Sequence, residues 1–217
     1  MVELKKINIF RRLIIFYILI LIMAFGACTI PSPEASHPRV IPRVTLSPLF
    51  NPRVYPRLAV FIIDNTRKFR KGGALRQVED EFMRAAIEKG YILAARSDIN
   101  NIKKELDLQR SRLTEKEIAE IGHFLNVPAV VIASINNVST ERYYPTIRAR
   151  GTRYYSTSVS VNISARMIST ELAEVLWLSS YTGSYVIDGR GREQESLVLA
   201  PVAKIVASGL PDRHSSF

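Results

Sequence analysis

Ser158-Val159-Ser160-Val161-Asn162-Ile163-Ser164-Ala165-Arg166-Met167 alternates residue by residue. Val159, Val161, Ile163, Ala165 and Met167 fall on one side. Ser158, Ser160, Asn162, Ser164 and Arg166 fall on the other. Successive side chains of a strand point to opposite faces, so Arg153–Met167 reads as a half-buried strand. Glu174–Tyr185 follows as a second such strand, with Leu172-Ala173 near the turn. Gln194–Ser208 then reads as a closing helix. Upstream, Ala129–Ile135 and Leu58–Ile63 are short continuous apolar runs, hence buried strands. Between them, Ala74–Lys89 sets Leu75, Val78, Phe82, Ala85 and Ala86 on one helical stripe that Gly90 stops. Tyr91–Ala95 reads as a further strand. Ser97 is a candidate N-cap for a helix carrying Ile99, Ile102 and Leu106. Thr114 and Glu117 form a T-x-x-E capping box ahead of Ile118, Ile121 and Leu125, and Val127-Pro128 ends that helix. Alternating strands and helices, then strands, then a helix predict an α/β domain. It is three-layer-like, with a mixed sheet and flanking helices.

The chain has 217 residues, a net charge of +10 and 47% apolar residues. That apolar content excludes a wholly disordered chain. Only one long apolar run exists, which excludes a polytopic membrane protein. One cysteine excludes a disulfide framework and any multi-cysteine zinc site. Three scattered histidines, His37, His123 and His214, leave little for metal binding or imidazole catalysis. No cofactor is expected.

The N-terminus reads as a targeting segment. Lys5, Lys6, Arg11 and Arg12 precede an uncharged run, Leu13–Phe25, and then come Gly26, Ala27 and Cys28. A basic region, a short apolar core and small residues make a secretory signal over residues 1–27. The run is shorter than the roughly 20 residues that span a bilayer. Phe25-Gly26-Ala27-Cys28 resembles a bacterial lipobox. That resemblance implies cleavage before Cys28, with a diacylglycerol and an N-acyl chain on the cysteine. The membrane is then a partner through this lipid anchor. An uncleaved signal anchor with an incidental cysteine is the alternative. Thr29, rather than Asp, follows the cysteine, which favours the outer membrane, on its periplasmic face. Loss of residues 1–27 removes four cations and one anion, taking the charge from +10 to +7. No nucleic-acid motif accompanies this basicity, so no nucleic acid partner is expected. Lipid headgroups, cell-wall polymers or plain solvent are its counterparts.

Seven of the eleven prolines lie in Thr29–Pro56. Proline this dense prevents helix and central strand. Residues 28–56 are therefore expected as a lipidated cysteine and an extended tether, with Val44, Leu46 and Phe50 able to dock. The folded domain is expected over 57–210, and 211–217 as a flexible tail.

Catalytic constellations are weak. Gly72-Gly73 before a helix has the backbone for a phosphate cradle, but lacks the Gly-Lys-Ser/Thr of a P-loop. A plain turn is the simpler reading. Glu79-Asp80-Glu81 do not face one another on a helix, so a solvated face is expected rather than a pair of catalytic acids. No G-x-S-x-G elbow occurs. Arg142, Tyr143, Tyr144, Arg148, Arg150, Arg153, Tyr154 and Tyr155 form an aromatic and cationic cluster. Tyr and Arg are enriched at interface hot spots, so this segment is the candidate protein contact, with an ordinary exposed loop as the alternative.

The order of several segments carries a family resemblance. Ala95-Arg96-Ser97-Asp98-Ile99, Glu105-Leu106-Asp107-Leu108-Gln109 and Ile118-Ala119-Glu120-Ile121-Gly122 come first. Leu125–Ile135, Val161–Met167 and Glu174-Val175-Leu176-Trp177 follow. Together they resemble the curli-secretion lipoprotein (CsgG) family, whose wider clan includes the LpoB activators of penicillin-binding proteins. The resemblance covers roughly residues 57–208. It implies an α/β domain like anticodon-binding domains, in the periplasm on a lipid anchor, with no catalytic residue and no cofactor.

Three non-enzymatic roles follow, and an enzyme without a recognisable motif is the fourth and least favoured alternative. One is an adaptor that binds a periplasmic or outer-membrane protein during envelope or surface-polymer assembly. Another is a subunit of a homo-oligomeric pore. The third is activation of a peptidoglycan synthase, as in LpoB. In the family this chain resembles, each pore subunit contributes two membrane hairpins, and a hairpin that spans the bilayer needs about twenty residues. Asn136–Ser158 has the length but carries five charged residues, and Val186–Glu193 is too short. Arginine facing lipid near the midplane costs roughly 2–4 kcal/mol. The adaptor is therefore the leading expectation.

Overall fold

The computed structural model describes residues 41–69, 73–105, 113–143, 156–188 and 194–214. Its elements are β1 (Arg43–Leu46), β2 (Arg57–Asp64), α1 (Gly73–Glu88), β3 (Ile92–Leu93), α2 (Arg96–Glu105), α3 (Glu115–Phe124), β4 (Ala129–Tyr143), β5 (Ser156–Ser169), β6 (Val175–Asp188) and α4 (Gln194–Ser208). Six strands form one mixed sheet in the order β1-β6-β5-β4-β2-β3. β2 runs parallel to β3 and β4, and the other pairs are antiparallel. This is the expected α/β class with a mixed sheet and flanking helices.

The alternation in β5 sorts the two layers. Val159, Val161, Ile163 and Met167 are fully buried on one face and Ala165 nearly so. They join Leu58 and Val60 of β2, Val78, Phe82 and Ala86 of α1, and Leu199, Val202 and Val206 of α4 in one core. Each large member contributes about 1.5–3 kcal/mol of burial. The other face carries a second core of Ala59, Phe61, Ile99, Ile118, Ile121, Val130, Ile132 and Ile168, beneath α2 and α3.

Local signals set the helix ends. The capping box forms as expected: the Glu117 N–H donates to Thr114 Oγ1, and the Thr114 N–H donates to Glu117 Oε2 at 2.7 Å. Asn126 ends α3 in the left-handed region at φ 51°, and Gly90 ends α1 at φ 83°. Gly122 lets α3 approach Thr170, whose hydroxyl donates to the Val127 carbonyl at 2.7 Å.

Several boundaries differ from those read in the sequence. The stretch expected as tether is folded from residue 41 to 56. Arg43–Leu46 pairs antiparallel with β6, and Phe50 and Tyr55 are buried in the main core with stacked rings 5.9 Å apart. The prolines flank β1 rather than interrupt it, and an edge strand tolerates them there. Val44 and Leu46 stay substantially exposed. The expected strand over Tyr91–Ala95 shrinks to Ile92–Leu93, since β3 meets only the start of β2. Helix α2 begins at Arg96, so Ser97 lies inside it; Leu106 is outside the described residues. Strand β4 runs eight residues past Ile135 because β5 pairs with it to the end.

The tail expected to be flexible is docked through His214. The Arg213 N–H donates to the Lys89 carbonyl at 3.1 Å, Arg213 Nη1 donates to the Gly90 carbonyl at 3.0 Å, and Tyr91 Oη donates to the Pro211 carbonyl at 3.0 Å. Burial pushes the Tyr91 phenol up to about 12. Asp212 adds to that shift and Arg213 opposes it.

Candidate partner-binding surface

β4 and β5 pair over their full lengths, from Ala129 with Ser169 to Tyr143 with Ser156. β2 stops at Asp64, opposite Ile135. The outer halves of β4, β5 and β6 therefore project past β2 as a three-stranded ribbon. Arg142 lies near the end of this ribbon and is exposed. Tyr143 is the last residue of β4. Tyr144, Arg148, Arg150, Arg153, Tyr154 and Tyr155 lie outside the described residues, as does Cys28. Of the candidate contact residues the structure thus describes Arg142 and the backbone of Tyr143, at the end of β4.

The ribbon has unlike faces. Val138, Val159 and Val161 are buried on the side of α1 and α4. The opposite face is polar and laced across strands. Asn136 lies on this face by the alternation of β4, and the register shift between Ile135 and Asn137 brings Val138 onto the core side. Asn65 Nδ2 donates to Asn136 Oδ1 at 3.1 Å. Asn136 Nδ2 donates to Asn162 Oδ1 at 2.9 Å and to Ser164 Oγ at 2.8 Å. Asn162 Nδ2 donates to Thr182 Oγ1 at 2.7 Å. Ser160 and Ser184 hydroxyls meet at 3.0 Å. Arg166 closes the lower border, donating to Glu115 Oε1 at 2.6 Å and to the Leu113 carbonyl at 2.8 Å. These bonds tie β4, β5 and β6 to one another and to the turn after β2. The alternation in β5 foretold the polar face; the bulge at Asn136 left no mark in the sequence.

The candidate catalytic groups are in structural use. Glu79 is largely buried, which corrects the solvated reading, and its carboxylate lies 3.7 Å from Arg96 Nε. Asp80 accepts from Arg96 Nη2 at 2.5 Å, and this bond raises the arginine's pKa against the opposing effect of burial. Glu81 pairs with Arg84 at 2.8 Å. Asp64 accepts from the Thr66 and Phe69 N–H groups and from the Thr66 hydroxyl, closing a turn. His123 is exposed. Among the described residues no cluster of histidine, cysteine or acidic side chains is placed to hold a metal. Gly72 lies outside the described residues, and no helix among them is long and apolar enough to cross a membrane.

No family model and no curated protein matches the sequence. Among solved structures, the PelC dodecamer from Paraburkholderia phytofirmans is similar at 16% identity and a TM-score of 0.42, over 78% of this chain and 95% of that one. Lipoprotein GNA1162 from Neisseria meningitidis is similar at 12% identity and a TM-score of 0.42, over 70% and 97%. The LpoB C-terminal domain from Salmonella enterica is similar at 11% identity and a TM-score of 0.36, over 66% and 88%.

Proposed function

We propose that this chain is a non-enzymatic lipoprotein, anchored through acylated Cys28, whose α/β domain binds a protein partner through the tip of the β4–β5 hairpin. The observation that carries the reading is the projecting ribbon. It is packed on one face, cross-bonded on the other, and ends where the sequence concentrates tyrosine and arginine. A rigid support reduces the ordering cost of a contact made at its end. Glu79, Asp80 and Glu81 of α1 and Asp64 at the end of β2 support the same reading, because they are committed to structural ion pairs and a turn. The lipobox resemblance supplies the anchor. The setting we propose is the periplasmic face of the outer membrane, in the assembly of envelope or surface polymers. Curli-type secretion and activation of a peptidoglycan synthase are the two forms that setting takes.

The test is capture. A photo-crosslinker at position 143 in the membrane-anchored chain is expected to trap one dominant protein. Changing Arg142, Arg148, Arg150 and Arg153 to Ser should remove that adduct while the melting temperature stays close to the parent's. Undiminished capture in the Ser variant would refute the tip as the contact. Stable conductance steps from the purified chain in planar bilayers would replace the adaptor with a pore.

A further inference from the structure

Beyond Ser180 the outer edge of β6 has no neighbouring strand among the described residues. β1 pairs with β6 only from Trp177 to Ser180. The hydrogen bond from the Ser47 N–H to the Leu176 carbonyl, 2.9 Å, sets the phase. Even-numbered residues of β6 turn their N–H and C=O groups outward, and odd-numbered ones turn theirs to β5. Thr182, Ser184, Val186 and Asp188 therefore present a row of backbone donors and acceptors past the end of β1.

The sheet treats its two projecting edges differently. On β4, Lys68 Nζ donates to the Val138 carbonyl at 2.9 Å. Lysine at an edge is one of the means by which sheets discourage further pairing. On β6, Val175–Ile187 contains no charge and no proline. Val186 is 72% exposed. A Cβ on Gly183 would lie 2.8 Å from Tyr185 Cε2 and 3.0 Å from Tyr181 Cε1, so both rings close over the glycine. Both tyrosines are half-buried at the rim, and burial raises the Tyr185 pKa, with Tyr181 adding to it.

We propose that two copies of this chain join along this edge, β6 against β6 in an antiparallel pair about a two-fold axis. The register accommodates a second copy as the occupant. Hydrogen-bonded pairs must match even-numbered residues with even-numbered ones. With the axis at Tyr185, Thr182 pairs with Asp188 of the second copy and Ser184 with Val186, and the two-fold repeats both. All four outward residues are used, and neither strand runs into β1. An axis at Ser184 would set Asp188 against Ser180, whose outward groups face Arg43. An axis at Val186 would leave Thr182 beyond the end of the described strand. The free edge is thus complementary to itself in length, phase and charge, as a two-fold interface requires. The two Tyr185 residues then face each other in the close, non-hydrogen-bonded position. This edge ends two strands away from Tyr143, through the Tyr143–Ser156 and Ser156–Asp188 pairs, and its test reads a β6–β6 contact that the hairpin's partner does not form.

The test is disulfide formation in membranes holding the full chain, with the parent chain as the control for Cys28. Tyr185→Cys is expected to give a covalent dimer under mild oxidation, since Cβ atoms across such a pair lie about 4.5–5.5 Å apart. Thr182→Cys is expected to give none, because its two copies lie about 20 Å apart along the ladder. Adding Ser184→Pro to Tyr185→Cys should abolish the dimer. The proline removes an outward N–H and leaves the bonds to β5, which come from odd-numbered residues. A second measurement avoids core changes: in detergent, the parent chain should sediment as a dimer and Val186→Lys as a monomer. A monomeric parent chain overturns the proposal. So does equal cross-linking of Tyr185→Cys and Thr182→Cys, or an adduct of Tyr185→Cys with a different protein in place of the dimer.

Discussion

Phe50→Ala separates a residue on a tether from one in the core. Phe50 is 8% exposed, belongs to the main cluster, and stacks on Tyr55 with ring centroids 5.9 Å apart and planes within 8°. Removing a buried phenylalanine costs about 3–5 kcal/mol. The stacked pair contributes about 0.5–1.5 kcal/mol beyond burial. Phe50 sits at the rim of the core, beside the end of β1, where neighbours can relax into the gap. The expected loss is therefore about 3 kcal/mol. For a domain of this size that lowers the melting temperature by about 6–12 °C. The assay is thermal and urea unfolding of the full chain in detergent, followed by tryptophan fluorescence. Trp177 is buried and its Nε1 donates to the Gly209 carbonyl at 2.7 Å, so its emission reports on the same core. Limited proteolysis should give a resistant fragment that begins ahead of Arg43, and Phe50→Ala should expose its linkage to β2. A change below about 0.5 kcal/mol, the usual effect at surface positions, together with a parent fragment that starts at Arg57, would refute the docking of residues 41–56.

Cys28→Ala should abolish fatty-acid labelling and release the chain from the outer-membrane fraction; unchanged labelling and fractionation would remove the lipid anchor. Thr114→Ala should cost about 1 kcal/mol through loss of the cap on α3, measured by urea unfolding, and Thr114→Ser should restore most of it. The Tyr91 pKa is raised in the fold to about 12 from an ordinary 10. Its contribution to stability is complete below pH 10 and fades as the pH rises through about 12. Tyr91→Phe should therefore flatten the alkaline limb of a melting-temperature profile between these values, and an unaltered limb would show that another group governs it.

Much of this protein is written locally. The alternation of Val159–Met167 fixed a strand with one buried face, and the structure buries each of those five residues. The capping box at Thr114, Gly90 after α1 and the apolar run of Gln194–Ser208 each specify an element through neighbours a few residues away. The cluster of Tyr and Arg over residues 142–155 is visible by residue type alone, and the structure describes only its first two members. Other features depend on partners distant in the chain. Arg43–Leu46 is a strand only because β6 offers it an edge, and nothing in a proline-rich stretch announces that edge. The eight-residue extension of β4, the bulge at Asn136 and the docking of Arg213 on Lys89 arise the same way. The uncharged run of Val175–Ile187 is visible in the sequence, but only the strand order places β1 beside its first half and leaves its second half open. A strand's hydrogen bonds are made to another segment, whereas a helix's are made within itself. Periodicity and capping therefore set the elements here, and tertiary structure alone decides which backbone groups remain for a partner.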